Sequence, residues 1–209
     1  LCQRPRCWYF RSGFGLLGMQ NGKSLVTAGE NKFHSIFGKG DAQFVSASSF
    51  GPALVALGAK VKLVSAAGER ELSAADFFVV PASESDRETA LKSNEILTEI
   101  NIPAGDTKNA TYEIRQREAL DWPLAAASVV LKMNGSKVAS ASIVMGHVGP
   151  VPVSAAGAAK SLAGKTISES VAEKAAASAV KGARPLSQTA YKIQLAKVAV
   201  KRALLKAAG

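Results

Sequence analysis

Cysteine and histidine are nearly absent from this sequence, with two of each among 209 residues. The thiols, Cys2 and Cys7, are five positions apart, and no second pair follows them. That spacing fits neither a C-x-x-C redox pair nor a zinc ribbon. His34 and His147 are isolated, so no metal-ligand motif forms around them. Aromatic residues are scarce, at 6%, and concentrate before residue 51. The later chain must therefore pack with Ala, Val, Leu and Ile. No apolar run reaches the length of a membrane span. The opening residues carry no apolar h-region with a small-residue cleavage site, so no secretory leader is read there. Unpaired thiols are then expected in a reducing cytoplasm.

Acidic residues are missing at the other end. After Val180, Lys181, Arg184, Lys192, Lys197, Lys201, Arg202 and Lys206 meet no Asp or Glu, which supplies much of the net charge of +10. Such a charge invites a nucleic-acid reading. However, no nucleic-acid-binding signature accompanies it, and a lysine face on a terminal helix is more often solvated or docked on an acidic partner. No nucleic-acid partner is expected. Like charges at i,i+4 cost about a few tenths of a kcal/mol per pair, which solvation or an acidic partner must offset.

What is present divides by period. Residues 12–41, rich in Gly, Ser, Lys and Asn, read as an irregular region with short strands at 24–26 and 32–36. A strand at 44–45 leads into Ser46-Ala47-Ser48-Ser49, whose hydroxyls suit the start of a helix over 50–57, with Gly58 as its stop. Residues 59–64 alternate as a half-buried strand, turn at Gly68 and return over 69–72. Ser73 caps a short helix over 74–78, and 81–87 is a polar linker. Further strands are expected over 95–102, 111–117, 125–133 and 138–147, with Asn134-Gly135 as a hairpin signal. Alanine-rich helices follow over 155–162, 168–180 and 187–208, with Ser168 and Ser187 as caps. Strands followed by helices predict an α+β fold, its C-terminal part a three-stranded antiparallel sheet packed on a helical cluster.

Three collinear blocks carry a resemblance. The first is Gln3-Arg4-Pro5-Arg6-Cys7-Trp8-Tyr9-Phe10-Arg11. The second runs from Ser48-Ser49-Phe50-Gly51-Pro52 to Leu57-Gly58-Ala59. The third is Arg115-Gln116-Arg117-Glu118-Ala119-Leu120-Asp121-Trp122-Pro123, with Gly149-Pro150-Val151-Pro152 and Leu162-Ala163-Gly164-Lys165 behind it. Together they resemble the FAD-binding medium subunit of the molybdenum hydroxylases, the group of xanthine dehydrogenase, aldehyde oxidoreductase and carbon monoxide dehydrogenase.

The resemblance implies a flavoprotein subunit of an oxidoreductase. Its FAD would pass electrons from [2Fe-2S] clusters in a small subunit to an acceptor, after substrate oxidation at Mo-molybdopterin in a large subunit. It implies a division into residues 1–90, the remainder of the second FAD-binding subdomain, and 91–209, the C-terminal α+β domain. The family's glycine-rich phosphate loops would lie upstream of Leu1, so an N-terminally truncated chain is expected. Ser48 and Ser49 fall at the family's flavin-contacting helix start, where an aspartate is usual. Leu97 matches its apolar flavin contact, and Trp122 falls beside the ring. Leu97 and Trp122 are thus expected to flank one cleft. Glu113 and Ile114 stand where a lysine is expected, and residues 12–41 hold no cysteine for the iron–sulfur cluster some relatives carry there. A chain that no longer binds FAD and serves a structural or subunit-interaction role is the alternative.

Overall fold

The computed structural model describes residues 7–117 and 121–209. Cys2, the arginines at 4 and 6, and residues 118–120 of the third block lie outside the described residues. The elements in chain order are α1 (Trp8–Arg11), β1 (Met19–Gln20), β2 (Lys23–Ser24), α2 (Leu25–Ala28), α3 (Gly51–Ala56), β3 (Lys60–Ser65), β4 (Gly68–Ser73), α4 (Ala74–Phe77) and β5 (Ile96–Asn101). They continue with β6 (Lys108–Ile114), β7 (Ala125–Asn134), β8 (Lys137–Gly146), β9 (Val153–Ser154), α5 (Ala156–Lys160), α6 (Glu169–Ala179) and α7 (Tyr191–Ala208). The fold class is α+β, as the change of period predicts.

The helix after the serines starts as expected. Ser48 Oγ accepts the Gly51 amide at 2.8 Å, and Pro52 occupies the first turn, where its missing N–H costs nothing. Gly58, at φ +68°, takes the left-handed conformation that ends the helix. β3 then pairs antiparallel with β4 on one side and with β5 on the other, giving the order β4-β3-β5. β5 follows the polar linker, yet it completes the sheet of β3 rather than that of the later strands. Arg70 of β4 fixes that approach through two bonds to Glu95, at 2.6 and 2.8 Å, and one to the Ala90 carbonyl at 2.7 Å. Such a forked pair adds geometric specificity to its charge.

The second sheet has four strands, order β6-β7-β8-β9, all antiparallel. This corrects the expected three: residues 153 and 154 bond Val144 and Met145 and add a short edge. The β7–β8 hairpin forms at the predicted place, but Asn134 belongs to the ladder opposite Lys137, so Gly135 and Ser136 make the turn. Gly135 alone of the two has positive φ, +58°.

One face of this sheet, with Val129, Leu131, Ile143 and Met145, packs on Ala196, Ala199, Ala203 and Leu204 of α7 and on the alanines of α6. Alanine at the contact lets the helix axes approach the sheet closely, which close packing rewards. The other face carries the Thr111–Ser128 hydroxyl pair, at 2.8 Å, and is covered by α3. There is no space to spare at that contact: a Cβ built on Gly146 would lie 2.6 Å from Pro52 Cγ.

The lysine face is not without acids. Lys201 pairs with Glu169 at 2.8 Å and Glu173 at 3.4 Å, both on α6. Lys192 is not on the surface at all; it is 1% exposed. Ser187 does not cap α7, whose first residue is Tyr191. The short strands expected at 32–36 and 44–45 are absent, and of 24–26 only Ser24 is in a strand while Leu25 and Val26 begin α2. In place of a ladder, the segment is held by single bonds: the Ile36 and Phe37 amides to the Val148 carbonyl at 2.9 and 3.0 Å, and the Ser46 amide to that of Gly149 at 2.9 Å.

Candidate functional site

The segment from Gly29 to His34 has no regular structure, yet Asn31, Lys32, Phe33 and His34 are each tied to residues 187–192, in the turn before α7 and at its start. Asn31 is fully buried; its Nδ2 donates to the Val26 carbonyl and to Ser187 Oγ, each at 3.0 Å, and its Oδ1 accepts the Gln188 amide at 2.9 Å. Tyr191 donates its hydroxyl to the Lys32 carbonyl at 2.9 Å. Lys192 then places its ammonium among three backbone carbonyls, those of His147 (2.7 Å), His34 (3.1 Å) and Phe33 (3.4 Å). An ammonium has three protons, and a buried one is tolerated only where acceptors replace its water. Lys192 thus joins the 29–34 segment to the end of β8.

That segment, α1 and the stretch before β7 line an open cavity of about 740 Å³. Trp8, Phe33 and Trp122, at 58%, 43% and 39% exposure, all turn toward it. Isolated exposed aromatics need no explanation, but three around one concavity mark a binding surface. Tyr9 and His34 form its inner wall, ring against ring at 5.9 Å. Lys32 and Arg117 bring positive charge to it, and Glu30 and Asp121 bring negative. Cys7, half-buried, lines it as well.

Two histidines belong to the surrounding framework. Burial, with the Lys192 cation adding, lowers the His34 pKa to about 4. Burial lowers His147 to about 3, with Lys192 and Arg115 contributing. Both are neutral near pH 7 and hold no charge for a ligand. His147, at φ +59°, lies 3.1 Å through Nε2 from Ser49 Oγ. Among the described residues no group of three His, Cys, Asp or Glu side chains could hold a metal ion.

The four residues expected at the flavin separate into three places. Ser48 is occupied as the acceptor for α3, and Ser49 faces His147. Leu97 stands on β5 opposite Leu63 of β3 and is not among the residues lining the cavity. Trp122 does line it. The cavity therefore takes Trp122 from the irregular stretch before β7 and does not include Leu97, which lies on β5. Glu113, in the position where a lysine is expected, forms an ion pair with Arg115. Lys192 and Asn31 escaped the sequence reading, because nothing in their neighbours in sequence reports partners about 150 positions away.

Residues 42–105 match the FAD binding domain in molybdopterin dehydrogenase, and residues 110–207 match the CO dehydrogenase flavoprotein C-terminal domain. The chain belongs to the medium-subunit flavoprotein family of the molybdenum hydroxylases. Within this family it is 34% identical, over 162 residues, to the carbon monoxide dehydrogenase medium chain of Afipia carboxidovorans, covering 75% of this chain and 54% of that one. It is 30% identical over 123 residues to the glyceraldehyde dehydrogenase medium chain of Sulfolobus acidocaldarius, covering 59% and 42%. Among solved structures, quinoline 2-oxidoreductase from Pseudomonas putida 86 superposes with a TM-score of 0.69 at 31% identity, over 78% of this chain and 57% of that one. Carbon monoxide dehydrogenase from Hydrogenophaga pseudoflava does so at 0.67 and 28%, over 77% and 56%. The chain spans about half the length of the curated relatives it matches. The part of the cavity wall from residues 7–34 lies ahead of both matched spans.

Proposed function

We propose that this flavoprotein holds FAD in a molybdenum-dependent dehydrogenase and relays electrons from a [2Fe-2S] small subunit, fed by a Mo-molybdopterin large subunit, to an acceptor. The observation that carries the flavin part is the aromatic cavity around Trp122. Its volume and walls suit a planar ring system, and its histidine offers a polar contact without charge. Bound FAD would supply the redox chemistry itself, as cofactors of this kind do. The chain's own residues would do the rest. Trp8, Phe33 and Trp122 would cover ring faces and keep water away, and Lys32 and Arg117 would attract the anionic part of the cofactor. Ser49 would contribute a hydroxyl where relatives offer a carboxylate, a neutral contact in place of a charged one. We assign Ser48, Ser49, Leu97 and Trp122 as cofactor contacts on the strength of the resemblance, with Trp122 alone supported by the cavity.

A second reading is favoured by the internal engagement of Ser48 and Ser49 and by the absence of Leu97 from the cavity lining: a subunit with a structural or interaction role and no flavin. Absorbance spectroscopy of the purified, desalted chain separates the two. A flavin band near one equivalent, retained or regained on adding FAD, supports the first reading. A folded, colourless protein that takes up no FAD rejects it.

A further inference from the structure

One ring of the cavity wall has a buried nitrogen without a partner. His34 is 7% exposed and lines the wall. Its Nδ1 is sealed from solvent and has no hydrogen-bond partner. An orphaned buried N–H is costlier and rarer than an orphaned lone pair. The ring proton therefore belongs on Nε2; this tautomer is assigned from the hydrogen-bond pattern. The backbone that carries the ring is held on both sides, since Lys192 binds the carbonyls of Phe33 and of His34 itself. Tyr9 supports the ring edge-on. A fixed, neutral N–H donor, set among three aromatic side chains, recognises a flat ring with a carbonyl oxygen on its edge.

We propose that His34 is a binding residue of this cavity, donating through Nε2 to an edge carbonyl of the planar ring held there, with Lys192 as the residue that positions it. This rests on the flavin reading, because the isoalloxazine bears two carbonyls on one edge and an apolar surface elsewhere. The low basicity of His34 keeps the donor uncharged through the physiological range, so the contact orients the ring without adding a cation to it.

The test uses riboflavin, which has the ring without the phosphates, titrated into the full chain and followed by quenching of its fluorescence. His34→Phe keeps the aromatic volume and removes the donor; His34→Gln keeps an N–H. We expect His34→Phe to weaken binding about five- to tenfold, the worth of one hydrogen bond, and His34→Gln to stay within about threefold of the parent. Binding by His34→Phe equal to that of the parent would overturn the role of His34 and leave the flavin reading standing. No saturable binding by the parent would overturn both. A second measurement is made in chain labelled with ¹⁵N-histidine: both rings are expected in the Nε2-protonated form, because Nδ1 of His147 is likewise buried without a partner, and the resonance missing from His34→Phe is the one expected to move on addition of riboflavin. An Nδ1-protonated His34 ring, or a His34 resonance unmoved by saturating riboflavin, would refute the proposal.

Discussion

Replacing Lys192 by Met tests whether a single buried ammonium organises the cavity floor. The side chains are nearly equal in length, so packing along the stem is retained. What disappears is the charge and three donated bonds, to His147, His34 and Phe33. Bonds from a charged donor contribute about 1.5–3 kcal/mol each, but burying an ammonium costs several kcal/mol, and the substitution recovers that cost. The remainder is chiefly three carbonyls left without a partner, at about 1 kcal/mol each at the low end of the range for orphaned buried groups. The net loss is then about 3 kcal/mol, or about 6–12 °C in Tm for a chain of this size. Urea denaturation followed by tryptophan fluorescence reads the first number, and calorimetry the second. Hydrogen exchange should show protection lost first around residues 29–37. A loss below about 1 kcal/mol, with unchanged slope and unchanged exchange in that segment, would refute the reasoning.

Other tests are independent of the flavin. His34 and His147 have folded-state pKa values of about 4 and 3, below the ordinary 6.5, so the unfolded chain takes up more protons as the pH falls below 6.5. Stability is expected to drop by about 2–4 kcal/mol between pH 7 and pH 5, and a flat urea midpoint over that range would contradict the burial of both rings. Glu95 is also held below its ordinary value and also loses stability as pH falls, but over a more acidic window: the Arg70 guanidinium and the Lys92 amide hold its pKa down at about 2. Its contribution is complete above pH 4.5 and fades from there toward pH 2, so the gap in denaturation midpoint between parent and Glu95→Gln should narrow over that window; a gap that is constant with pH would count against the pair. Gly146→Ala would drive a methyl against the ring of Pro52, which cannot turn aside, and should cost about 1–3 kcal/mol in thermal unfolding; a neutral outcome would mean that α3 slides freely on the sheet.

Much of the fold was legible because local chemistry and the final contacts agree. Ser168 caps α6 by accepting the Val171 amide, Ser73 caps α4 by accepting that of Asp76, and Gly58 and Gly135 adopt the positive φ their positions asked for. The alternation in 59–64 and 95–102 reports strands, though it does not say that β5 returns to β3. Residues 12–41 resisted for a physical reason. Their order comes from side chains bonding to backbone far along the chain, as Asn31 does with Ser187 and Gln188, and such bonds leave no periodic trace. Lys192 was misread for a related reason. Charge counting treats a lysine with no acid near it in sequence as solvated, whereas here backbone carbonyls far along the chain accept from a buried ammonium. Of the candidate site, Trp122, Leu97, Ser48 and Ser49 all entered through likeness alone, and of these four Trp122 lines the cavity.

The fastening of Asn31 to the turn before α7, and of Lys32 and His34 to the first residues of that helix, sets an order of events during synthesis. Residues 29–34 leave the ribosome some 150–160 positions before the groups that will hold them. Until that final helix emerges, the aromatic chamber has no floor, and a nascent chain has nothing with which to grip a flat ligand. Closure over so long a stretch is slow compared with local folding. Capture of a flat ligand should therefore wait for α7, and truncations that remove this helix should abolish it however well the preceding sheets have formed.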